Sequence, residues 1–230
     1  MENTFDVVVA GCGVAGLSAA VSAAENGARV VILERAPEED RGGQSRYTEA
    51  YLRMKSLTEV SDDFEVHLAE NGSGSIDPDL VEQAATDPRG TSLTRGLSLA
   101  DPNLIERFSN EAAPTIAWLQ GIGARFDFLP TQFLTASQPR LLPVGGGQAL
   151  VDVLAARAEA LGVTFLYETT AQSLVMDDQG EVVGLKASVR GKPQRELRGQ
   201  VVLACGGFEG NSEMMTRYVG PRSVYLRPVC

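Results

Sequence analysis

The glycine-rich segment GCGVAG, residues 11–16, constrains the fold of this chain more than any other feature of its sequence. It follows a valine-rich apolar run, residues 5–10, which is too short for a helix and is typical of a buried parallel strand. An alanine-rich segment of good helix formers, residues 14–26, comes next, and a second apolar run covers residues 29–34. Strand, glycine turn, helix and strand in this order predict a right-handed βαβ unit.

The spacing of these glycines predicts a dinucleotide-binding turn. Gly11 permits the tight turn, Gly13 lets a diphosphate approach the backbone, and Gly16 lets the helix pack closely on the strand. The helix then begins at Val14 and Ala15, where its first N–H groups and the positive end of its dipole favour phosphate. An ordinary glycine-rich turn is the alternative.

Glu34 lies 18 residues after Gly16, at the end of the second predicted strand. A carboxylate there can accept hydrogen bonds from both hydroxyls of a ribose, and it disfavours the 2′-phosphate of NADP. This motif is compatible with both FAD and NAD. Arg35 is a further candidate for ligand contact, although an arginine at a strand exit is more often a solvated side chain.

Two other glycine-rich segments are candidates for contact with the same ligand. Gly42 and Gly43 begin a GGQS segment after the second strand, and Ser45 in it can give a hydroxyl to a diphosphate. A flexible surface loop is the alternative. Residues 145–147 are three glycines before a predicted helix that stops at Gly162, and they allow either a ligand or another backbone to approach closely.

The carboxyl-terminal half predicts further β-structure. A strand covers residues 163–167, a hairpin follows with strands at 173–176 and 182–189, and a last buried strand at 201–204 is closed by Gly206 and Gly207. The chain is therefore expected to form a parallel βαβ sheet with an antiparallel excursion before its final strand. A helix is also expected from Pro102 to Gly121, with a kink or restart at Pro114.

Composition excludes several classes of function. The 230 residues carry 20 basic and 30 acidic side chains, a formal charge of −10, so neither nucleic acid nor an anionic membrane is an expected partner. No apolar run reaches the roughly 18 residues of a membrane span, and the amino terminus lacks a basic and apolar leader pattern, so a cytoplasmic location is expected. The scattered cysteines fit a reducing compartment, with Cys12 and Cys205 as small hydrophobic residues at strand ends. His67 is the only histidine, and neither a metal cluster nor a catalytic triad is predicted.

Four blocks stand in order along the chain: VVVAGCGVAGLSAA, ILERAP with RGGQSRYTEA, GGGQALVDVLAARAEALGV, and VVLACGGFEGN. Together they resemble the FAD-dependent flavoproteins of the fumarate reductase and succinate dehydrogenase superfamily, which includes the 3-ketosteroid dehydrogenases. Within that superfamily the sequence looks most like the tricarballylate dehydrogenase group, which shows similar RGGNS, GGGKAL and AAGGFE blocks.

The resemblance implies an α/β fold, a Rossmann-like FAD-binding domain of the glutathione-reductase type over residues 1–207, with a helical and loop excursion at about 50–140. Residues 208–230 would begin a capping domain that is otherwise missing, as in a fragment or a degenerate copy. The implied FAD contacts are Gly11, Gly13, Val14, Ala15, Gly16, Glu34, Arg35, Gly42, Gly43, Ser45, Gly146, Gly147, Ala171, Ala204, Gly206 and Gly207. The arginine that delivers a proton to the substrate lies beyond this stretch in the superfamily, so no catalytic residue is assigned.

The implied function is hydride transfer between FAD and a carbon next to a carboxylate or ketone of a small molecule resembling tricarballylate, fumarate or succinate. The electron partner is unspecified. The alternatives are an incomplete, non-catalytic FAD-binding fragment and an NAD-linked dehydrogenase, which leaves the GGQS and CGGF segments unexplained.

Overall fold

The computed structural model describes residues 3–54, 56–59, 102–128, 140–189 and 193–225. The chain divides into two compact units, of which the first combines residues 1–50 with 145–230 and the second covers residues 51–144. The predicted boundary between a domain at 1–207 and a cap beginning at 208 stays a prediction.

Over its described residues, the first unit contains three helices and six strands. They are β1 (Thr4–Ala10), α1 (Val14–Glu25), β2 (Val30–Leu33), α3 (Gly146–Ala160), β6 (Thr164–Leu166), β7 (Thr169–Met176), β8 (Val182–Val189), β9 (Arg195–Leu203) and α4 (Ser212–Tyr218). The second unit contains β3 (Leu52–Arg53), α2 (Pro102–Gly121), β4 (Phe126–Phe128) and β5 (Arg140–Pro143). Short 3-10 helices occur at Glu38–Asp40, Gly43–Tyr47 and Pro221–Tyr225.

The six strands of the first unit form one sheet in the order β6-β2-β1-β9-β8-β7. β6, β2, β1 and the second half of β9 run parallel, with Val8 opposite Val31 on one side and Val201 on the other. The first half of β9 instead pairs antiparallel with β8, and β8 pairs antiparallel with β7. This arrangement confirms the α/β prediction of a parallel sheet with an antiparallel excursion before the final strand.

Alternation along the parallel strands explains how this unit buries its core. Val8 and Val31 face a cluster that includes Leu185 and Leu197 of the antiparallel strands. The intervening residue Val9 faces α1, because a side chain at Gly16 would lie 3.2 Å from its Cγ1. Both faces of β1 are therefore covered at its carboxyl-terminal half, which is why residues 7–10 are continuously apolar.

The second unit has its own small core and a three-stranded antiparallel sheet in the order β3-β5-β4. Met54, Ile116 and Leu141 are fully buried there. Sequence analysis did not predict these strands, because runs of two to four residues carry too little alternation to detect. The helix α2 continues through Pro114 as one element, so of the predicted kink or restart, the restart is wrong and the kink stays a prediction.

Two boundaries in the first unit also differ from expectation. β9 begins at Arg195, not at residue 201, and β7 begins at Thr169, not at residue 173. In both cases most of the added residues are polar and most of them pair with β8, where the ladder rather than an apolar pattern defines the strand. The helix α4 was not predicted; Asn211 caps it by accepting a hydrogen bond from the Met214 N–H at 3.1 Å.

Candidate functional site

The glycine turn lies at the carboxyl ends of β1, β2 and β9. The Gly11 N–H donates to Leu33 O at 2.8 Å, and the Ala204 N–H donates to Ala10 O at 2.9 Å, so all three strand ends are joined. Gly11 has φ +109°, and a side chain there would overlap the carbonyl of Ala204. The turn is therefore held in a backbone conformation that only glycine adopts readily.

Gly16 is required for a different reason. It lies in the first turn of α1, and a side chain there would overlap the carbonyl oxygen of Gly11 and lie 3.0 Å from its carbonyl carbon. The absence of a Cβ thus lets α1 begin directly on the turn, as the glycine spacing predicts.

The first turn of α1 is open to an anion. Gly13 is the N-cap residue and provides no side chain to cap the helix, and the first turn contains no acidic residue. The Val14 N–H donates to Ser45 Oγ at 3.2 Å, across 31 residues of sequence. A side chain at Gly13 would meet Ser45 Oγ at 3.2 Å and Gly42 O at 3.5 Å, so the space beside Gly13 is bounded by this loop. Ser45 thus takes the place of an N-cap side chain for the Val14 N–H, and backbone N–H groups of a helix N-terminus beside a hydroxyl are donors that suit a diphosphate.

Glu34 is buried next to the turn, with 8% of its surface exposed. Its Oε2 accepts the Cys12 N–H at 3.0 Å and its Oε1 accepts the Ala36 N–H at 2.9 Å. The carboxylate thus lies against the backbone of the glycine turn, with remaining lone pairs available to hydroxyl donors. Arg35, by contrast, is exposed.

The segment of residues 41–48, called here the 41–48 loop, packs along α3. The Gly147 N–H donates to Thr48 O at 2.7 Å, and a side chain at Gly147 would overlap the carbonyl of Ser45. At Gly42, which has φ +110°, a side chain would lie 3.1 Å from Val151. The glycines before α3 therefore let another backbone approach, the second of the two explanations that the sequence left open.

The remaining candidate residues lie on other segments around the glycine turn. Ala171, on β7, packs beside the cluster that contains Leu33, and the Thr169 N–H at the start of β7 donates to Glu34 O at 2.8 Å. Gly206 and Gly207 are exposed after β9, and Gly206 has φ +74°. Gly43 is exposed with open space around it, and Gly146 lies close to Thr48 O. The structure brings the turn, Glu34, Ser45 and Ala204 into direct contact, and places the others on adjoining segments.

One cluster beside the turn was missed by sequence analysis. Arg41 Nη1 donates to Glu159 Oε1 at 3.0 Å and to the hydroxyl of Tyr167 at 3.1 Å. These residues come from three separate segments and form no local motif. The only signal is the position of Arg41 directly before the paired glycines.

The two described cysteines differ, and the expectation for one of them is wrong. Cys12 is fully buried, whereas Cys205 is exposed because it lies two residues beyond the end of β9, outside the ladder. Burial, with a smaller contribution from the nearby Glu34 carboxylate, raises the pKa of Cys12 to about 12. Cys12 is therefore a packed thiol and not a nucleophile.

This difference predicts selective thiol labelling. In a Cys230→Ser background at pH 8, one thiol per chain is expected to react rapidly with Ellman's reagent, because a pKa of about 12 leaves Cys12 roughly one part in ten thousand ionised. The second thiol should react only after unfolding in guanidinium chloride. Adding Cys205→Ser should abolish the rapid phase, and a rapid phase that persists in that variant would contradict the assignment.

Within the described residues, no helix has the length and apolar character that would let it cross a membrane. Over the same residues, histidine, cysteine and carboxylate side chains do not gather in groups of three or more that would suit a metal ion.

Comparison with known proteins places this geometry in a family. The family model for the FAD binding domain matches residues 6–227. Vinyl phenol reductase of Lactiplantibacillus plantarum is 27% identical over 230 residues, which cover 99% of this chain and 43% of that protein. Fumarate reductase (cytochrome) of Shewanella frigidimarina is 25% identical over 225 residues, covering 94% of this chain and 35% of that protein. The chain spans less than half the length of these relatives.

A solved structure shows the same fold. The 3-ketosteroid-Δ4-(5α)-dehydrogenase of Rhodococcus jostii, crystallised with 4-androstene-3,17-dione, has a TM-score of 0.67 and 25% identity. The superposition covers 97% of this chain and 50% of that one.

Proposed function

Because the chain belongs to the FAD binding domain family, we propose that it forms the nucleotide-holding part of an FAD-dependent oxidoreductase whose substrate is a small molecule with a C=C or CH–CH bond. The observation that carries this proposal is the N-terminus of α1, which has no N-cap side chain and lies beside Gly13 and the Ser45 hydroxyl. FAD supplies the hydride chemistry when bound. The residues of this chain bind and orient it.

The geometry supports a separate role for each group of residues. Gly13, Val14, Ala15 and Gly16 give backbone N–H groups and close approach to the diphosphate, and Ser45 adds a hydroxyl. Glu34 accepts the ribose hydroxyls while it holds the turn through the Cys12 N–H. Ala171 gives its backbone to the adenine side. Gly43, Gly206 and Gly207 are exposed and lie where small residues leave room for the rest of the cofactor. Gly42, Gly146 and Gly147 instead let the 41–48 loop pack on α3, and Ala204 closes the turn through Ala10.

The substrate class is proposed from the relatives. Fumarate carries a C=C bond next to a carboxylate, and 4-androstene-3,17-dione carries one next to a ketone, which matches the hydride acceptor expected from the sequence. Vinyl phenol has a C=C bond without an adjacent carbonyl. A tricarballylate-like substrate is saturated, and its CH–CH bond next to a carboxylate would be oxidised to a C=C bond of the first of these classes.

Cofactor binding is the first test. Titration of the 230-residue chain into FAD is expected to quench flavin fluorescence with one site per chain, and NAD at the same concentration should not compete. Competition by NAD at equimolar concentration, or failure to bind FAD, would overturn the proposal in favour of an NAD-linked or non-binding chain.

Substrate class is tested separately in the FAD-loaded oxidoreductase of which this chain is proposed to form the nucleotide-holding part. Oxidation of reduced methyl viologen is expected to be faster with fumarate or tricarballylate's unsaturated analogue than with 4-vinylphenol. The reverse order would contradict the proposed preference for a carbon next to a carbonyl group, and it would leave the assignment of FAD intact.

A further inference from the structure

Arg41 stands at the start of the 41–48 loop, and its polar contacts converge on one nitrogen. Nη1 lies 3.0 Å from Glu159 Oε1, 3.1 Å from the Tyr167 hydroxyl and 3.7 Å from Glu38 Oε1. Only 18% of the Arg41 side chain is exposed, whereas the side chains of Glu159 and Glu38 are 49% and 66% exposed, so the packed guanidinium and not its acidic partners is shielded from water.

The other end of the loop is fixed at the opposite end of α3. There the Gly147 N–H donates to Thr48 O at 2.7 Å. Gly147 and Glu159 are 12 residues apart on this helix, which corresponds to about 18 Å at the rise of an α-helix. The loop is thus fixed near both ends of α3, so it cannot slide along the helix without breaking one contact.

Ser45 lies between these two anchors and accepts the Val14 N–H at the start of α1. We propose that Arg41 is a positioning residue for the cofactor: by fixing the loop to Glu159 and Tyr167, it holds Gly42 and Ser45 against the N-terminus of α1. This inference rests on the proposed binding of FAD at that N-terminus. In this role Arg41 acts through the loop, since its Nη1 donates to Glu159 and to the Tyr167 hydroxyl.

The convergence on Nη1 predicts which substitutions are tolerated. A lysine ammonium has three donors and can replace a single nitrogen that serves several acceptors, so Arg41→Lys should preserve the anchor. Arg41→Gln removes the charge and should release it. Glu159→Gln weakens the same anchor from the other side.

Arg157 provides a matched control on the same helix. Its Nε and Nη2 donate to Glu25 Oε1 at 3.1 and 2.8 Å, joining α3 to α1 without contacting the 41–48 loop. Arg157→Gln therefore removes one ion pair of α3 and one positive charge, as Arg41→Gln does.

The test combines FAD titration of the 230-residue chain with amide hydrogen exchange in the absence of FAD. Arg41→Gln is expected to raise the Kd for FAD about tenfold and Glu159→Gln several-fold, whereas Arg41→Lys and Arg157→Gln stay within about twofold of wild type. Without FAD, Arg41→Gln should accelerate exchange in peptides covering residues 42–48, and Arg157→Gln should not.

Three results would overturn the inference while leaving the proposed function in place: FAD affinity unchanged in Arg41→Gln, an equal loss in Arg157→Gln, or no rescue by Arg41→Lys. If Arg41→Gln is too unstable to titrate, Glu159→Gln and the exchange measurement decide. Failure of the wild-type chain to bind FAD would instead overturn the proposed function, and this inference with it.

Discussion

Replacing Gly16 by alanine is expected to destabilise the fold by about 3 kcal/mol and to weaken FAD binding by more than tenfold. The added methyl group would overlap the carbonyl oxygen of Gly11, which belongs to the backbone and cannot turn away as a side chain would. Relief requires α1 to move away from β1, and this movement displaces the N–H groups at Val14 and Ala15 from the diphosphate position.

Helix propensity alone predicts the opposite effect on stability. Alanine favours a helix over glycine by up to about 1 kcal/mol, so Gly16→Ala would stabilise the protein if the position had free space. Gly210→Ala is the matched control, because nothing lies within 4 Å of a side chain built there.

Urea unfolding and FAD titration measure the two effects. The midpoint should fall in Gly16→Ala with an unchanged slope, and Gly210→Ala should match wild type in both measurements. A Gly16→Ala variant as stable as wild type would show that α1 does not rest on the turn as described.

Replacing Glu34 by alanine is expected to lower FAD affinity by tenfold or more and stability by about 2 kcal/mol. The substitution removes the acceptor of two backbone N–H groups, one of them the buried N–H of Cys12. It also removes the charged acceptor proposed for the ribose hydroxyls. Glu34→Gln keeps one acceptor oxygen but turns an amide NH₂ toward the other donor, so it should lie between alanine and wild type.

Glu181→Ala is the control that separates the loss of one negative charge from the loss of the carboxylate beside the glycine turn. Glu181 is exposed in the turn between β7 and β8, so this variant changes the net charge equally and leaves the glycine turn intact. Flavin fluorescence titration should show wild-type affinity for Glu181→Ala and weakened affinity for Glu34→Ala. If Glu34→Ala binds FAD as tightly as Glu181→Ala does, Glu34 is not part of the proposed site.

The βαβ unit could be predicted from sequence because its signals are local. The valine run, the glycine spacing and the apolar second strand each follow from contacts within about 30 residues, and the structure confirms them as β1, α1 and β2. The family match likewise confirms FAD as the cofactor that the GGQS and CGGF segments favoured.

Contacts between distant segments could not be predicted in the same way. The close approach of Gly147 to the backbone of Ser45, and the contact of Arg41 with Glu159, depend on how α3 packs against the loop after β2. Residues that meet only after folding leave no periodic or spacing signal in one sequence. Cys205 illustrates the same limit, because its exposure depends on where the β9 ladder ends.

The pairing of β1 with β9 has a consequence for how this protein is made. Ala10 lies opposite Leu203, so the strand that carries the glycine turn gains one of its two neighbours only after 193 further residues (203 − 10) have been added. At ribosomal rates this interval is about 10 to 40 seconds. Throughout that time one edge of β1 lacks its native partner, and such an edge favours pairing with another chain. Synthesis of this domain therefore passes through an extended period of aggregation risk, in which chaperone binding has the greatest effect on yield.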